Sequence, residues 1–396
     1  MLAPAPSTAE TDPDAIFLAE VRRFLAEALT PDLREAARRT LGVHTDIAAC
    51  KVWHQRLHRR GWIAPGWPVE HGGAGWTPRQ RFLFDRECAL NDAPVLFAGG
   101  IRSLGPLIIE MGTPLQKARY LPAILSGADL WAQGFSEPGA GSDLARVATK
   151  AVRSGERYLV DGSKIWTTGA HLSNRMFALV RTETGDRPQQ GLTFLLIDMP
   201  SPGLTVSPII TIDGEHELNA VFFDQVSVPL ANRIGEEGQG WAVATRLMQR
   251  ARSNNTPAAL VRRVYQRARN AALATPGLER GLMSRLVAAE IDLTAFEQAE
   301  LNLLPGGRLR EGDNTSASVL KLIGSELHQR VAELAMEITG TTRGVALDLF
   351  RDDEGLLADG ARATAKHFAT RAASIYSGSS ETQRNVIAQA LDATGR

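Results

Sequence analysis

Two short runs hold most of the residue types from which chemistry could be built. The first is Gln133-Gly-Phe-Ser-Glu-Pro-Gly-Ala-Gly-Ser-Asp143. Small residues around Gly141 let backbone amides approach an anionic group, and Ser142 adds a hydroxyl donor. A pyrophosphate suits such a loop; a tight structural turn is the alternative that the same residues allow. The second run is Lys164-Ile-Trp-Thr-Thr-Gly169, in which Trp166 offers a flat ring and Thr168 a hydrogen bond. A lone tryptophan on a strand is otherwise a core residue.

Three further constellations say less. Cys50, His54 and His58 recur at i+4 spacing, which would turn three metal ligands to one side of a helix. No fourth ligand stands nearby, and a helix face rich in Arg and His accounts for them without a metal. Gly134-Phe-Ser-Glu-Pro138 approaches a nucleophile elbow, but Pro138 replaces the final glycine. Gly235, Gly238 and Gly240 are spaced GxxGxG rather than GxGxxG and lie outside any clear βαβ unit, so no nicotinamide site is expected.

These residues sit in a chain of 396 residues, long enough for two or three domains. Forty-four Lys and Arg balance forty-four Asp and Glu, so no global field draws the protein to nucleic acid. Two cysteines are too few for a disulfide framework and fit a reducing compartment. The start, MLAPAPSTAETDPD, has no basic segment followed by an apolar one, and no uncharged apolar run approaches the ~20 residues of a membrane span. A cytoplasmic protein with no membrane contact is expected.

The elements change character twice. Thr11, Asp12 and Pro13 predict a helix start, followed by Ile16, Phe17, Val21, Phe24, Leu25 and Leu29 at helical spacing. Helical patterning continues to about residue 129, interrupted at Pro65, Gly66, Pro68, Gly72, Gly73 and Gly75. From about residue 130, β-rich runs cover 158–160, 175–182, 192–198, 204–210 and 221–228, with Asp161-Gly162 as a two-residue hairpin signal. From Gly240 the helical period returns, clearest at Val319, Leu322, Ile323, Leu327, Val331, Leu334 and Ile338. Pro305, Gly306, Gly307 and Gly312 then read as a connection between two antiparallel helices. The division is an all-α domain over 1–129, a β domain over 130–239 and an α-helical bundle over 240–396.

In this order, the stretches GWIAPGWPVEHGGAGWT, SLGPLIIEMGT, QGFSEPGAGSDLA, DGSKIWTTGA, VFFDQVSVP, GEEGQGW, SVLKLIGSEL and SIYSGSSETQRNVIA resemble the acyl-CoA dehydrogenase superfamily over nearly the whole chain. Several are most similar to the large-subunit type of the pimeloyl-CoA dehydrogenases. The resemblance implies an α+β multidomain fold: an N-terminal helical domain, a middle β-barrel-like domain and a C-terminal four-helix bundle. It also implies FAD between the middle and C-terminal domains, an acyl-CoA substrate, and a homo-oligomer or a hetero-oligomer with a second family subunit. By position, Gln133, Ser136, Trp166 and Thr168 would surround the isoalloxazine. Gly141 and Ser142 would lie by the pyrophosphate, with Ser142 also near CoA. Glu337, Gly340, Ser379 and Glu381 would hold the distal part of FAD, partly across a subunit boundary. The Arg-Lys-Thr-Phe contact of many members has no clear equivalent between residues 265 and 285.

The resemblance breaks at the catalytic base. Family dehydrogenation removes a weakly acidic proton next to the thioester while hydride passes from the next carbon to the flavin, so a carboxylate must lie within reach. Many members place it in an Ile-Tyr-Glu-Gly motif; here the sequence is Ile375-Tyr376-Ser377-Gly378. Others place a glutamate just before an arginine early in the C-terminal domain; here Ala251 precedes Arg252. Glu381 matches a FAD-contacting position and not the base. A serine hydroxyl cannot replace the carboxylate, though the Ser377 backbone N–H could still donate to the thioester oxygen. Three readings follow: flavin- and oxygen-dependent oxygenation or oxidation of an acyl-CoA, which the sequence favours; dehydrogenation with a relocated base or an activated substrate, handing electrons to a transfer partner; and a FAD-binding, non-catalytic subunit. Arg252 and Arg102 are the candidate substrate contacts, Arg102 because its segment borders the acyl pocket in the family and an arginine there could bind an oxygen of the acyl group.

Overall fold

The structure is a computed structural model that describes residues 12–252, 257–303, 314–340 and 359–394. Six helices come first: α1 (Pro13–Ala28), α2 (Pro31–Arg38), α3 (Ile47–Arg60), α4 (Pro78–Leu90), α5 (Gly105–Met111) and α6 (Pro114–Ser126). Their ends follow local chemistry. The Asp12 carboxylate accepts the Asp14 N–H to open α1, and Thr77 with Gln80 and Thr113 with Gln116 form capping boxes on α4 and α6. Helix α1 buries Phe17, Val21, Leu25 and Ala28, one stripe at helical spacing. That stripe packs into a core in which Phe24, Trp62, Trp76 and Phe84 meet edge to face. A π-helical turn, Gly99–Leu104, leads into α5.

Eight strands follow: β1 (Trp131–Gly134), β2 (Lys150–Ser154), β3 (Arg157–Lys164), β4 (Arg175–Arg181), β5 (Leu192–Asp198), β6 (Leu204–Ile209), β7 (Leu218–Pro229) and β8 (Arg233–Ile234). They form one sheet in the order β6-β7-β3-β2-β4-β5-β8, with β1 parallel to β4. Residues 176–180 on β4 are all fully buried. Phe177 and Leu179 join the helical domain's core, while Met176, Ala178 and Val180 face the sheet's own apolar interior. The strand's alternation therefore serves two cores and reads as one apolar run.

The Asp161-Gly162 hairpin is not there. Both residues lie inside β3, where Gly162, at φ +139°, sits at a register shift against β7. The β2–β3 turn is Gly155-Glu156, with Ser154 paired to Arg157 and Gly155 at φ +59°. A glycine with positive φ was needed at both places, for a bulge at one and a turn at the other.

The remaining helices are α7 (Gly240–Arg252), α8 (Ala258–Leu273), α9 (Arg280–Leu303), α10 (Asn314–Ile338), α11 (Asp359–Thr370) and α12 (Ser380–Thr394). Helix α10 lies at the centre, packed on α8, α9, α11 and α12. It buries Leu320, Leu327, Val331, Leu334 and Ile338, whereas Ile323 is turned outward. Pro305, Gly306, Gly307 and Gly312 lie outside the described residues. Among the described residues no helix is long and apolar enough to cross a membrane.

Candidate functional site

One wall of the site comes from the middle domain. Gln133 is exposed on β1, which is thus a strand where the sequence suggested the end of a helical region. Just beyond it the Ser136 carbonyl accepts the Ile165 N–H at 2.9 Å, so the Ser136–Ser142 loop runs beside the Ile165–Gly169 segment. Glu137 and Ala140 exchange two backbone hydrogen bonds of 3.0 Å, leaving Pro138 and Gly139 at an exposed tip. A Cβ added to Gly139 or Gly141 would meet nothing within 4 Å, and Ser142 is exposed. The loop is open to an approaching group.

Trp166 stands just past the end of β3 rather than on it. Its backbone is left-handed, φ +59°, and its side chain is 56% exposed, the opposite of a core tryptophan. Thr167 next to it is buried, its N–H bonded to the Asn219 carbonyl at 3.0 Å, while Thr168 is half-buried. The Gly169 N–H meets the Glu217 carbonyl at 2.8 Å, and a Cβ on Gly169 would lie 2.4 Å from the Phe97 ring.

Sequence reasoning passed over the residues that hold this wall in place. The Lys164 ammonium is fully buried and donates to Glu137 Oε1 at 2.7 Å, to the Leu179 carbonyl at 2.6 Å and to the Phe135 carbonyl at 3.2 Å. The Asn219 amide donates to the Thr167 carbonyl at 3.0 Å, and its oxygen lies 2.9 Å from His216 Nε2. His171 and His216 stack with centroids 3.8 Å apart. Burial, and then the neighbouring His216, push the His171 imidazolium down. A lysine at the end of a strand, after the polar run Asp161-Gly-Ser163, gave no signal of its burial.

A second group of candidates lies on the loop between α11 and α12. Lys321 on α10 is buried and donates to the Ala373 carbonyl; burial brings its ammonium down to about 8. Gln329 Nε2 reaches the Thr370 and Arg371 carbonyls and Ser374 Oγ, and Gln383 Nε2 the Gly378 carbonyl at 3.1 Å. Ser377 is exposed, with φ +57°, and is followed by Gly378 at φ +91°. Burial raises the Tyr376 phenol to about 12, assisted by the Glu217 charge. The Glu217 carbonyl thus holds Gly169, while its carboxylate accepts the Val43 N–H at 2.6 Å.

The other candidates scatter. Ala251 and Arg252 end α7, and their side chains lie outside those described. Arg102 is exposed on the π-helical turn. Burial raises the Asp85 carboxyl on α4, and Arg102 and then Arg81 oppose that rise, so Arg102 already faces a carboxylate of its own chain. Glu337 is engaged by Arg285 of α9, through Oε1 at 2.9 Å, and Gly340 follows α10 with φ +73°. Ser379 Oγ accepts the Thr382 N–H at the start of α12. Glu381 is exposed, its carboxyl held low first by its own backbone N–H and then by Ser379. Cys50 donates to the Thr45 and Val95 carbonyls, His54 bonds the Leu125 carbonyl at 2.9 Å, and His58 is exposed. Among the described residues no cluster of three or more His, Cys, Asp or Glu could hold a metal ion.

An exposed indole on a strained backbone, a threonine two residues on, and an open glycine loop alongside offer a planar surface, hydrogen-bond donors and an anion cradle in sequence. A flavin dinucleotide needs these three things. The comparisons agree. Profiles described as the N-terminal, middle and C-terminal domains of acyl-CoA dehydrogenase match residues 11–128, 132–226 and 238–391. The chain is 37% identical over 386 residues to acyl-CoA dehydrogenase IpdE1 of Mycobacterium tuberculosis, covering 94% of this chain and 96% of that protein. Among solved structures it is similar to the ChsE4-ChsE5 complex of the same organism, with TM-score 0.79, 28% identity and 98% of each chain covered. It is equally similar to the Tcur3481-Tcur3483 steroid ACAD, with TM-score 0.79, 25% identity and 99% of each chain covered. With all three domains in order, the chain belongs to the acyl-CoA dehydrogenase family, and its cofactor is FAD.

Proposed function

We propose that this protein is a FAD-binding subunit of an acyl-CoA dehydrogenase built from two unlike subunits, acting on the thioester of a bulky, ring-bearing acid. FAD, when bound, supplies the hydride acceptor. Gln133, Ser136, Trp166 and Thr168 orient it, Gly141 and Ser142 meet its pyrophosphate, and Glu337, Gly340, Ser379 and Glu381 border its distal half. The Ser377 N–H donates to the thioester oxygen, and Arg252 and Arg102 are the proposed substrate contacts.

The observation that carries this reading is Ser377 itself. A serine stands in a braced, left-handed turn at the family position where proton abstraction needs a carboxylate. A site that keeps its scaffold and lacks its base is completed from elsewhere. The two-component names of the structural relatives support a partner of the same family, and the word steroid in one of them supports a polycyclic acyl group. An apolar stripe on α9 also supports a partner: Met283, Val287 and Ile291, spaced four residues apart, are 37%, 55% and 65% exposed.

Anaerobic mixing of the FAD-loaded protein with a panel of acyl-CoAs, alone and with a co-expressed second family subunit, tests this. Flavin bleaching only in the paired sample is expected. Rapid bleaching by butyryl-CoA with this chain alone would overturn it. Oxygen incorporated into the acyl product would replace it with the oxygenase reading, which the empty base position also favours.

A further inference from the structure

We propose that Glu137 and Lys164 are positioning residues for FAD: their buried ion pair fixes the glycine-rich loop against the Trp166–Gly169 segment. The inference rests on the reading that these two segments hold the cofactor.

The geometry leaves Lys164 no spare donor and engages both oxygens of Glu137. Lys164 is 0% exposed, and its three N–H donors have three acceptors: Glu137 Oε1, the Phe135 carbonyl and the Leu179 carbonyl. Glu137, 7% exposed, accepts the Thr149 N–H on Oε1 at 2.9 Å and the Ala148 N–H on Oε2 at 2.6 Å. Lys164 ends β3, two residues before Trp166; Phe135 and Glu137 flank Ser136; Leu179 lies on β4. With the Ile165 N–H on the Ser136 carbonyl, the loop is fastened at 135, 136 and 137 to the strand end that presents Trp166. The pair thus sets how far Gly139, Gly141 and Ser142 stand from the indole.

Stability alone does not account for such a pair. Taking two ions out of water is costly, and well-packed neutral side chains of similar volume often hold a fold equally well or better. Burial shows in Lys164 itself, whose ammonium comes down to about 8 although Glu137 opposes the shift. What neutral residues do not reproduce is the directional hold on the Phe135 and Leu179 carbonyls and two backbone amides at once.

The test separates fold from position. Glu137→Gln combined with Lys164→Met should leave the melting temperature within a few degrees of wild type, yet weaken FAD binding tenfold or more in equilibrium titration. FAD affinity within twofold of wild type in the folded double variant would overturn the proposal, whatever the melting temperature does. Should the double variant not fold, Glu137→Gln alone decides in the same way. Glu87→Gln, which breaks the pair with Arg22 in the helical domain, is the control: it should lower the melting temperature without moving FAD affinity. Absence of FAD binding by wild type would instead refute the assignment of the cradle.

Discussion

Replacing Trp166 with alanine isolates the part of flavin binding that depends on a flat apolar surface. An aromatic side chain of this size buries ~150–250 Å² when fully covered. With 56% of Trp166 exposed in the protein, on the order of 100 Å² remains for the cofactor to cover. At about 25 cal/mol per Å², that area contributes ~2.5 kcal/mol, or about 60-fold in the dissociation constant. Fold stability should change little, because the lost surface is largely in water beforehand and alanine meets the same left-handed backbone that tryptophan does. Titration of FAD, followed by quenching of its fluorescence, should therefore show Trp166→Ala binding tens of times more weakly, with Trp166→Phe in between. Affinity within twofold of wild type for the alanine variant would mean that the indole is not at the flavin.

Three other outcomes are expected. Ser377→Glu restores a carboxylate at the family position and should let ordinary acyl-CoAs bleach the flavin anaerobically; a variant that binds FAD and acyl-CoA normally without any gain in reduction would show that the thioester is not presented to Ser377. Gly169→Ala forces a Cβ to within 2.4 Å of the Phe97 ring at φ +61°, so a loss of ~2 kcal/mol or more in urea unfolding should follow, and an unchanged midpoint would contradict the packing described. Burial lowers the imidazolium stability of His54, His171, His328 and His367. Below pH ~6.5 the unfolded chain takes up protons that the folded one resists, so stability should fall as pH drops from 7.5 to 5.5. A urea midpoint that held or rose over that range would refute the assignment of these rings as neutral.

The α, β, α succession was legible because each segment shows its own period, and of the residues proposed as a cradle the structure finds Trp166, Gly141 and Ser142 exposed. Legibility failed where one residue type serves two geometries. Gly162 and Gly155 both take positive φ, and only the pairing of β3 with β7 makes the first a bulge and the second a turn. Strand β1 was missed because four residues parallel to β4 are too few to show a period. Glu137 and Lys164 were missed for a different reason. Charges 27 positions apart carry no pattern, and a lysine that ends a strand after Asp161-Gly-Ser163 looks exposed until the fold buries it.

Backbone strain marks both groups of candidate residues. Among the described residues four non-glycine positions have positive φ: Asp92, Trp166, Gln225 and Ser377. Two have local compensation. The Asp92 carboxylate meets Arg38 and Arg267, while the Gln225 N–H and side-chain amide both bond Asp161. The Trp166 indole and the Ser377 hydroxyl have no such partner among the described residues, and both side chains are exposed. A left-handed backbone costs an L residue ~1–2 kcal/mol, and it persists where surroundings hold it for a purpose served by a ligand. At Ser377 the hold is Gln383, wedged against Gly378. The turn's product is a backbone N–H, not a side chain, which is what a thioester oxygen would use. A strained loop that presents an amide while carrying no base is easier to reconcile with an acyl-CoA site completed by a partner than with a subunit that never meets substrate.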